Sequence, residues 1–393
     1  MSVHKTVLPI IILSQFLCTS LWFAGNGVVN DLIQTFELSS NTLGYLTSAV
    51  QLGFILGTLA FAFLSISDRF SPSKIFFICA LIGSFFNLGI LFEWNTIYSL
   101  LLFRFLTGFC LAGIYPVGMK IASDYFKKGL GKSLGFLVGA LVLGTALPHF
   151  LKLISASFNW QYIVVSTSAL ATVGGFLILL FVPNGPYFKK NSTPNFYDVF
   201  RVFKNSEFSS VAVGYFGHMW ELYAFWTFTP VILTLYNTIN PESNLSTPLF
   251  SFLIIGSGSL SCIFGGYLSE YLGVKKTATY FLSASTICCL FSPFIFNFSP
   301  IAFISFLIFW GMVVIADSPL FSTLIAKNTA TETKGTALTI VNSIGFAITI
   351  ISIQTLTYLL EFSATNYLFL ILGIGPVFGI LSLLKKQNSK TKA

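Results

Sequence analysis

Long apolar stretches alternate with short polar breaks along the whole chain. Each stretch is rich in Leu, Ile, Phe and Val, and charged residues or Pro, Gly, Asn and Ser bound it. The lengths match the roughly 20 apolar residues that a helix needs to cross a membrane, and the stretches lack the alternation of transmembrane strands. The pattern predicts twelve transmembrane helices, called spans 1 to 12, at 7–30, 43–65, 74–92, 97–121, 133–153, 160–182, 208–236, 247–270, 277–296, 299–325, 335–359 and 366–384.

The composition is that of a membrane protein. Of the 393 residues, 55% are hydrophobic and 9% are charged, whereas soluble domains carry about 25% charged residues. The first stretch continues past Trp22 and Asn26 without the short apolar core and small-residue cleavage site of a signal peptide, so we interpret it as a span. These observations exclude a soluble enzyme and predict an all-α, multi-pass membrane protein.

Lysine and arginine predict the orientation of the spans. With the N-terminus inside, 18 of the 21 basic residues fall in the inner segments, and Lys152 is the basic residue of the outer loops. Basic residues favour the cytoplasmic side of a membrane. Both termini are therefore predicted in the cytoplasm. The net charge of +8 reflects this rule rather than nucleic-acid binding, because the charges are spread over many segments.

The longest polar stretch divides the spans into six and six. It predicts an N-terminal six-helix bundle over 1–183, a cytoplasmic linker over 184–207, and a C-terminal bundle over 208–393 that ends in a short basic tail. The other breaks are too short for a nucleotide-binding domain, and the sequence contains no Gly-x-x-x-x-Gly-Lys-Ser/Thr loop. An ion or substrate gradient is therefore favoured over ATP hydrolysis as the energy source.

The two halves of the chain share two patterns. Residues 67–74 and 266–276 each place an acid at the end of one span and a base at the start of the next, across a tight turn. Pro116 in span 4 is followed by Lys132 near the start of the next span. Pro319 in span 10 is followed by Lys334 at about the same spacing in the sequence. Internal repeats of this kind are typical of transporter folds.

The turn at 67–74 and span 4, with Arg104, Gly108, Gly113 and Pro116, resemble motifs of the major facilitator superfamily. More distantly, the chain is similar to the nitrate, nitrite and cyanate carriers of that superfamily. The resemblance covers nearly the whole chain. It implies two pseudo-symmetric six-helix bundles around a central cavity lined chiefly by spans 1, 4, 7 and 10, and transport by alternating access.

Few ionisable side chains lie within the spans, where each is costly. Arg104 is predicted to hold an anionic substrate or to tune a carboxylate, because a guanidinium makes forked hydrogen bonds; the alternative is a structural arginine that ties helix ends together. Glu221 and His218 share one face of span 7 and are predicted to carry protons. We also consider an ion pair between Arg104 and Glu221 across the bundles, or a Glu221 fixed by bonds to an adjacent helix.

Other charged residues are candidates for switching. Asp317, at a proline break in span 10, is predicted to be a gate or second proton site, or else to cap the broken helix. Asp68 with Arg69, and Glu270 with Lys275, are predicted to latch the inner face of the protein. The alternative for these four residues is two solvated turns.

Polar and aromatic groups at membrane depth either contact substrate or join helices. Asn26 and Trp22 in span 1 and Trp220 in span 7 are candidates for substrate binding or coupling, whereas Gln354 is predicted to join helices and His149 to be interfacial. All six cysteines fall within spans, so we interpret them as buried apolar residues without a disulfide or metal site.

Together these features predict a secondary transporter of a cell inner membrane and not an enzyme. The favoured function is that of a symporter, the proton-coupled uptake of a small anion, with Arg104 on the anion and Glu221 and His218 on the proton. The alternative is proton-driven efflux of lipophilic or cationic compounds, which the aromatic content favours and Arg104 opposes. No filter loop or well-spaced nucleophile indicates a channel or a hydrolase. The expected partners are a small-molecule substrate, protons and membrane lipid, with no cofactor or nucleic acid, and the protein is expected to be a monomer.

Overall fold

The computed structural model describes residues 3–126, 130–155, 159–188, 203–329, 334–362 and 365–385, and within them the chain is helical without β-strands. In the N-terminal half, the helices are Val3–Thr19, Ala24–Gly27 and Val29–Thr35 (span 1), Thr42–Phe63 (span 2), Pro72–Leu88 (span 3), Ile97–Leu111 and Tyr115–Tyr125 (span 4), Leu130–Ile154 (span 5) and Gln161–Phe181 (span 6). A short helix, Ile66–Arg69, lies between spans 2 and 3.

The C-terminal half repeats this plan. Its helices are Ser206–Ile239 (span 7), Thr247–Leu272 (span 8), Val274–Phe291 (span 9), Pro300–Ala316 and Ser318–Lys327 (span 10), Lys334–Phe362 (span 11), and the 3₁₀ turn Leu368–Gly373 followed by Ile374–Leu384 (span 12). Within the described residues, eight helices are long and apolar enough to cross a membrane, and two shorter apolar helices belong to spans 1 and 12. The all-α, twelve-helix prediction is confirmed.

Spans 4 and 10 are interrupted at matching places. Pro116 and Pro319 each lie in the first turn of the second helix of their span. Proline lacks the N–H that would continue the preceding helix, and its fixed backbone angle suits a helix start. The repeated proline noted in the sequence therefore corresponds to a repeated helix break.

Span 1 is also broken, although it has no proline at the break. Its first helix ends at Thr19, and the chain passes through turns, with Leu21 N–H bonded to Cys18 O at 3.3 Å and Trp22 N–H to Thr19 O at 3.0 Å. The sequence predicted a continuous span here. The break frees carbonyl groups in the middle of the N-terminal half, and in hydrocarbon these groups need other donors.

The two halves meet along spans 2 and 11 and along spans 5 and 8. The Gln354 amide of span 11 donates to Ser48 Oγ at 2.7 Å and to Gly44 O at 3.1 Å, and Asn41 donates to Glu361. Gln354 thus joins helices, as predicted. These bonds lie near the ends of spans 2 and 11 that the predicted topology places outside, and they join the two halves at that end.

Small residues allow the backbones of spans 2 and 4 to touch. A Cβ atom added to Gly53 would lie 1.9 Å from the carbonyl oxygen of Phe105, whereas one added to Gly266 in span 8 would meet nothing within 4 Å. Close helix contacts in membranes depend on such residues, because lipid provides no hydrophobic drive for association.

We predict that Gly53→Ala destabilises the protein and that Gly266→Ala, the matched control, does not. The new methyl group at position 53 forces spans 2 and 4 apart, and overpacking of this kind costs about 1–3 kcal/mol. The midpoint of thermal unfolding in detergent should fall for Gly53→Ala alone. Equal midpoints for the two variants would contradict the close packing of spans 2 and 4.

Candidate transport site

Arg104 is fully buried and holds the break in span 1. Its Nη1 donates to Leu21 O at 3.0 Å, and its Nη2 donates to Trp22 O. Nη1 also lies 3.2 Å from Oδ1 of Asn87 in span 3. The guanidinium therefore supplies the donors that the two freed carbonyls of the broken helix require.

Asn87 extends this network to span 6. Its Nδ2 donates to Ser168 Oγ at 2.9 Å and to Thr167 Oγ1 at 3.2 Å. Arg104 is thus surrounded by carbonyl and amide oxygens, and no carboxylate of the described residues lies within ion-pair distance of it. A buried charge is normally paired, so this cation has neutral partners where a counter-charge is expected.

Glu221 lies in an equally buried position in the C-terminal half. Its Oε1 accepts from Trp310 Nε1 at 2.6 Å and from Cys289 Sγ at 3.2 Å, and its Oε2 accepts from Ser285 Oγ at 2.8 Å. These partners come from spans 9 and 10. The predicted ion pair between Glu221 and Arg104 is therefore absent from this conformation, because each side chain is bound within its own half.

His218 and Asp317 form a second buried group beside Glu221. His218 Nδ1 lies 2.8 Å from Asp317 Oδ1, and each side chain is 1% exposed. Asp317 makes no side-chain capping bond to the second helix of span 10, which removes the capping alternative in this structure. Because His218 and Glu221 share one face of span 7, two acids and an imidazole are gathered between spans 7 and 10.

Aromatic rings fill the centre where the halves meet. Trp22 of span 1 stacks on Tyr223 of span 7 at 5.8 Å between centroids and on Phe346 of span 11 at 5.7 Å. Phe54 of span 2 lies 4.8 Å from Trp22 and 4.6 Å from Phe346. We call Trp22, Phe54, Tyr223 and Phe346 the central ring cluster. Three of its contacts cross from one half to the other.

Unpaired polar atoms surround this cluster. The indole N–H groups of Trp22 and Trp226, the Oδ1 of Asn26 and both amide atoms of Gln51 have no hydrogen-bond partner in the structure. Asn26 uses its Nδ2 to donate to Thr47 Oγ1 at 2.8 Å. Unsatisfied buried groups are rare in proteins and call for an explanation.

The other predicted site residues lie elsewhere. Trp220 donates its indole N–H to Ile371 O of span 12 at 2.9 Å, so it is placed away from the central ring cluster and joins two helices. His149 was predicted to be interfacial, and this is wrong, because it is buried in span 5. The apolar sequence around His149 does not show whether its side chain faces lipid or the protein interior.

The predicted inner latch is only partly described. Lys275 Nζ lies 2.9 Å from Glu207 Oε1 at the start of span 7, and not with Glu270, which is exposed. Arg69 ends the short helix after span 2, and the side chain of Asp68 lies outside the described residues. Their gating role stays a prediction.

Several functional candidates were missed by the sequence analysis. They are Asn87 on Arg104, Ser285, Cys289 and Trp310 on Glu221, and Gln51, Phe54 and Phe346 at the centre. Cys289 was interpreted as apolar, yet its thiol contacts a carboxylate. The only available signal was their polar or aromatic character at membrane depth, which many residues of this chain share.

Comparisons with known proteins agree with this architecture of paired halves and buried charges, which is that of a membrane transporter. The sequence profile of the Major Facilitator Superfamily matches residues 11–353. No curated protein matched the sequence. The chain belongs to the Major Facilitator Superfamily. It is therefore a secondary transporter that works by alternating access, and not an enzyme.

Solved structures share the fold at low sequence identity. The proton:xylose symporter XylE, bound to 6-bromo-6-deoxy-D-glucose, is 14% identical with a TM-score of 0.74, over 97% of this chain and 95% of that one. The nucleoside transporter NupG (14%, 0.73) aligns over 96% and 98%. A bacterial homolog of the human lysosomal transporter Spinster, inward-facing and unoccupied, is 17% identical with a TM-score of 0.66, over 98% and 94%.

We predict that Arg104→Ala lowers the thermal stability of the purified protein. The substitution leaves the carbonyls of Leu21 and Trp22 without donors in the interior, and each unpaired buried group costs about 1–3 kcal/mol. Arg104→Lys should restore only part of the lost stability, because an ammonium cannot make the two forked hydrogen bonds of a guanidinium. The exposed Lys385→Ala is the control. An Arg104→Ala midpoint equal to that of the control would contradict the role of Arg104.

Proposed function

We propose that the protein couples the movement of protons to the uptake of a small anion. The observation that carries the proposal is the buried group of Glu221, His218 and Asp317, gathered between spans 7 and 10. Ionisable residues inside a membrane protein are costly and mark ion pathways and proton relays. A group of two acids and an imidazole can hold a variable number of protons.

The surroundings of Glu221 allow it to change its protonation state. When the carboxyl group is ionised, Ser285, Cys289 and Trp310 donate to it. When Oε2 takes a proton, the Ser285 hydroxyl can turn toward Leu282 O, 3.2 Å away, and accept the new O–H. Neither state leaves a polar atom of this set unpaired.

Protonation also weakens the bonds that hold span 7 to spans 9 and 10. Hydrogen bonds to an ionised carboxylate are roughly twice as strong as neutral ones. The loss of charge on Glu221 therefore loosens the contact with Trp310, and span 7 carries Tyr223 of the central ring cluster. This links the proton to the surface on which the two halves meet.

Arg104 favours an anion as the substrate. Its buried charge has only neutral partners, and its Nε–H has none. An uncompensated buried charge is unfavourable, so an anion that enters the N-terminal half gains attraction that no acid of the described residues supplies. The backbone carbonyl of Trp22 accepts a hydrogen bond from Arg104, and the side chain of Trp22 belongs to the central ring cluster. The positive charge of Arg104 therefore lies next to that cluster.

Efflux of lipophilic cations is the second candidate. The central ring cluster favours it, because aromatic faces attract cations. The buried positive charge of Arg104 opposes it. We keep this function as the alternative outcome of the experiment below.

The proposed transport cycle moves the two six-helix bundles against each other. These bundles, over 1–183 and 208–393, are joined by the linker at 184–207, and the protein works as a monomer in a cell inner membrane with both termini in the cytoplasm. The basic residues of the inner loops support this orientation. The turns with Asp68, Arg69, Glu270 and Lys275 stabilise one access state, and Lys275 exchanges Glu207 for Glu270 when the halves move.

We predict that proteoliposomes loaded with a pH-sensitive dye acidify internally when a transported anion is added outside. The panel contains nitrate, cyanate, formate and 4-hydroxybenzoate, with the lipophilic cation tetraphenylphosphonium, and protein-free liposomes set the baseline. Glu221→Gln should abolish the acidification, because its amide cannot release a proton, while anion exchange continues. The exposed Glu242→Gln is the matched control.

Acidification by Glu221→Gln at the rate of the parent would contradict proton transfer at Glu221. Alkalinisation by tetraphenylphosphonium alone would replace the anion with the efflux function. The same assay on Asp317→Asn and His218→Gln separates the two parts of the buried group, since loss in these variants but not in Glu221→Gln would move the proton site to the pair of His218 and Asp317.

A further inference from the structure

The central ring cluster and the unpaired polar atoms beside it form one continuous face. On span 2, Thr47, Gln51 and Phe54 follow the spacing of one helix face. Thr47 accepts from Asn26, and Phe54 lies against Trp22. Gln51 is therefore placed between these two contacts, on the side of span 2 that faces span 1.

The unpaired atoms of this face have a definite chemistry. Trp22 Nε1 and Gln51 Nε2 are donors, and Gln51 Oε1 and Asn26 Oδ1 are acceptors. All three side chains are more than nine-tenths buried. Because an unpaired buried group costs free energy, a molecule that pairs with several of these atoms gains more here than it would at a solvated surface.

The walls of the face favour a flat ligand. Trp22 is inclined by 29° to Tyr223 and by 25° to Phe346, so the rings are nearly parallel. Since Trp22 belongs to the N-terminal half and the other two rings to the C-terminal half, these contacts separate when the halves move. A planar aromatic ring can then replace them by stacking in the same orientation.

We propose that the central face binds a small planar organic anion, namely an aromatic carboxylate that carries a hydroxyl or N–H group. The ring stacks on Tyr223 or Phe346 in place of Trp22. The carboxylate accepts from Trp22 Nε1 and Gln51 Nε2, and the hydroxyl or N–H at the opposite end of the ring donates to Asn26 Oδ1. Arg104, bonded to the carbonyl of Trp22, places a positive charge next to this face. The inference rests on the proposed function, because it specifies the anion.

Binding to the purified full-length protein tests this inference by titration calorimetry and thermal shift. The probe is 4-hydroxybenzoate. Cyclohexanecarboxylate keeps the charge without the flat ring, phenol keeps the ring without the charge, and nitrate is a small inorganic anion. We expect 4-hydroxybenzoate to bind at least ten-fold more tightly than each of the three comparators.

Variants locate the binding in the protein. Gln51→Leu and Trp22→Phe should each weaken 4-hydroxybenzoate binding about ten-fold, which corresponds to about 1.4 kcal/mol. Thr58→Val is the matched control, because Thr58 is also a buried residue of span 2 with an unpaired hydroxyl. It should change the dissociation constant less than two-fold. The comparison of ligands on the parent protein needs no variant and holds even where a variant folds poorly.

The outcomes separate this inference from the proposed function. Equal or tighter binding of cyclohexanecarboxylate, phenol or nitrate would overturn the inference. Absence of 4-hydroxybenzoate binding, or unchanged binding in Gln51→Leu and Trp22→Phe, would also overturn it. If nitrate still acidifies the proteoliposomes through Glu221, the proposed function stands without it. If 4-hydroxybenzoate binds as expected but moves no protons, the central face is supported and the coupling fails.

Discussion

The structure depends on the rule that backbone groups inside a membrane must find partners within the protein. Span 1 breaks that rule locally, and the guanidinium of Arg104 restores it by donating to the carbonyls of Leu21 and Trp22. A broken helix held in this way can present Trp22 and Asn26 to the centre of the molecule at angles that a continuous helix would not allow. The central ring cluster therefore depends on a buried arginine that does not itself belong to it.

The buried ionisable residues of the two halves have different kinds of partners. In the N-terminal half, one cation is fixed among carbonyl and amide oxygens of spans 1 and 3. In the C-terminal half, Glu221 is held by neutral donors, and His218 and Asp317 pair beside it. The first arrangement keeps its charge, since a guanidinium does not release its proton. In the function proposed above, the second gains and loses the coupled protons.

The sequence was sufficient for the fold, because length and hydropathy alone determine how often a chain crosses a membrane. It also singled out Arg104, Glu221, His218 and Asp317, because ionisable residues are conspicuous in apolar spans. It could not show which partners these residues have. Arg104 contacts carbonyl groups that are freed by a helix break at which the sequence has no proline. Glu221 contacts a cysteine and a tryptophan that no feature of the sequence distinguishes from the others. Partner choice depends on helix rotation and packing, which the twelve apolar patterns leave undetermined.

The central claim is that a proton on Glu221 loosens span 7 and allows the halves to move. Spin labels on cysteines introduced at the exposed positions Glu37 and Glu242 report this movement by pulsed electron paramagnetic resonance. The predicted topology places both positions in outer loops, one in each half. The account predicts that the distance distribution shifts between pH 8 and pH 5.5 in the parent and stays at the acidic distribution in Glu221→Gln at both values. A parent distribution that ignores pH, or a Glu221→Gln protein that still shifts as the parent does, would contradict it.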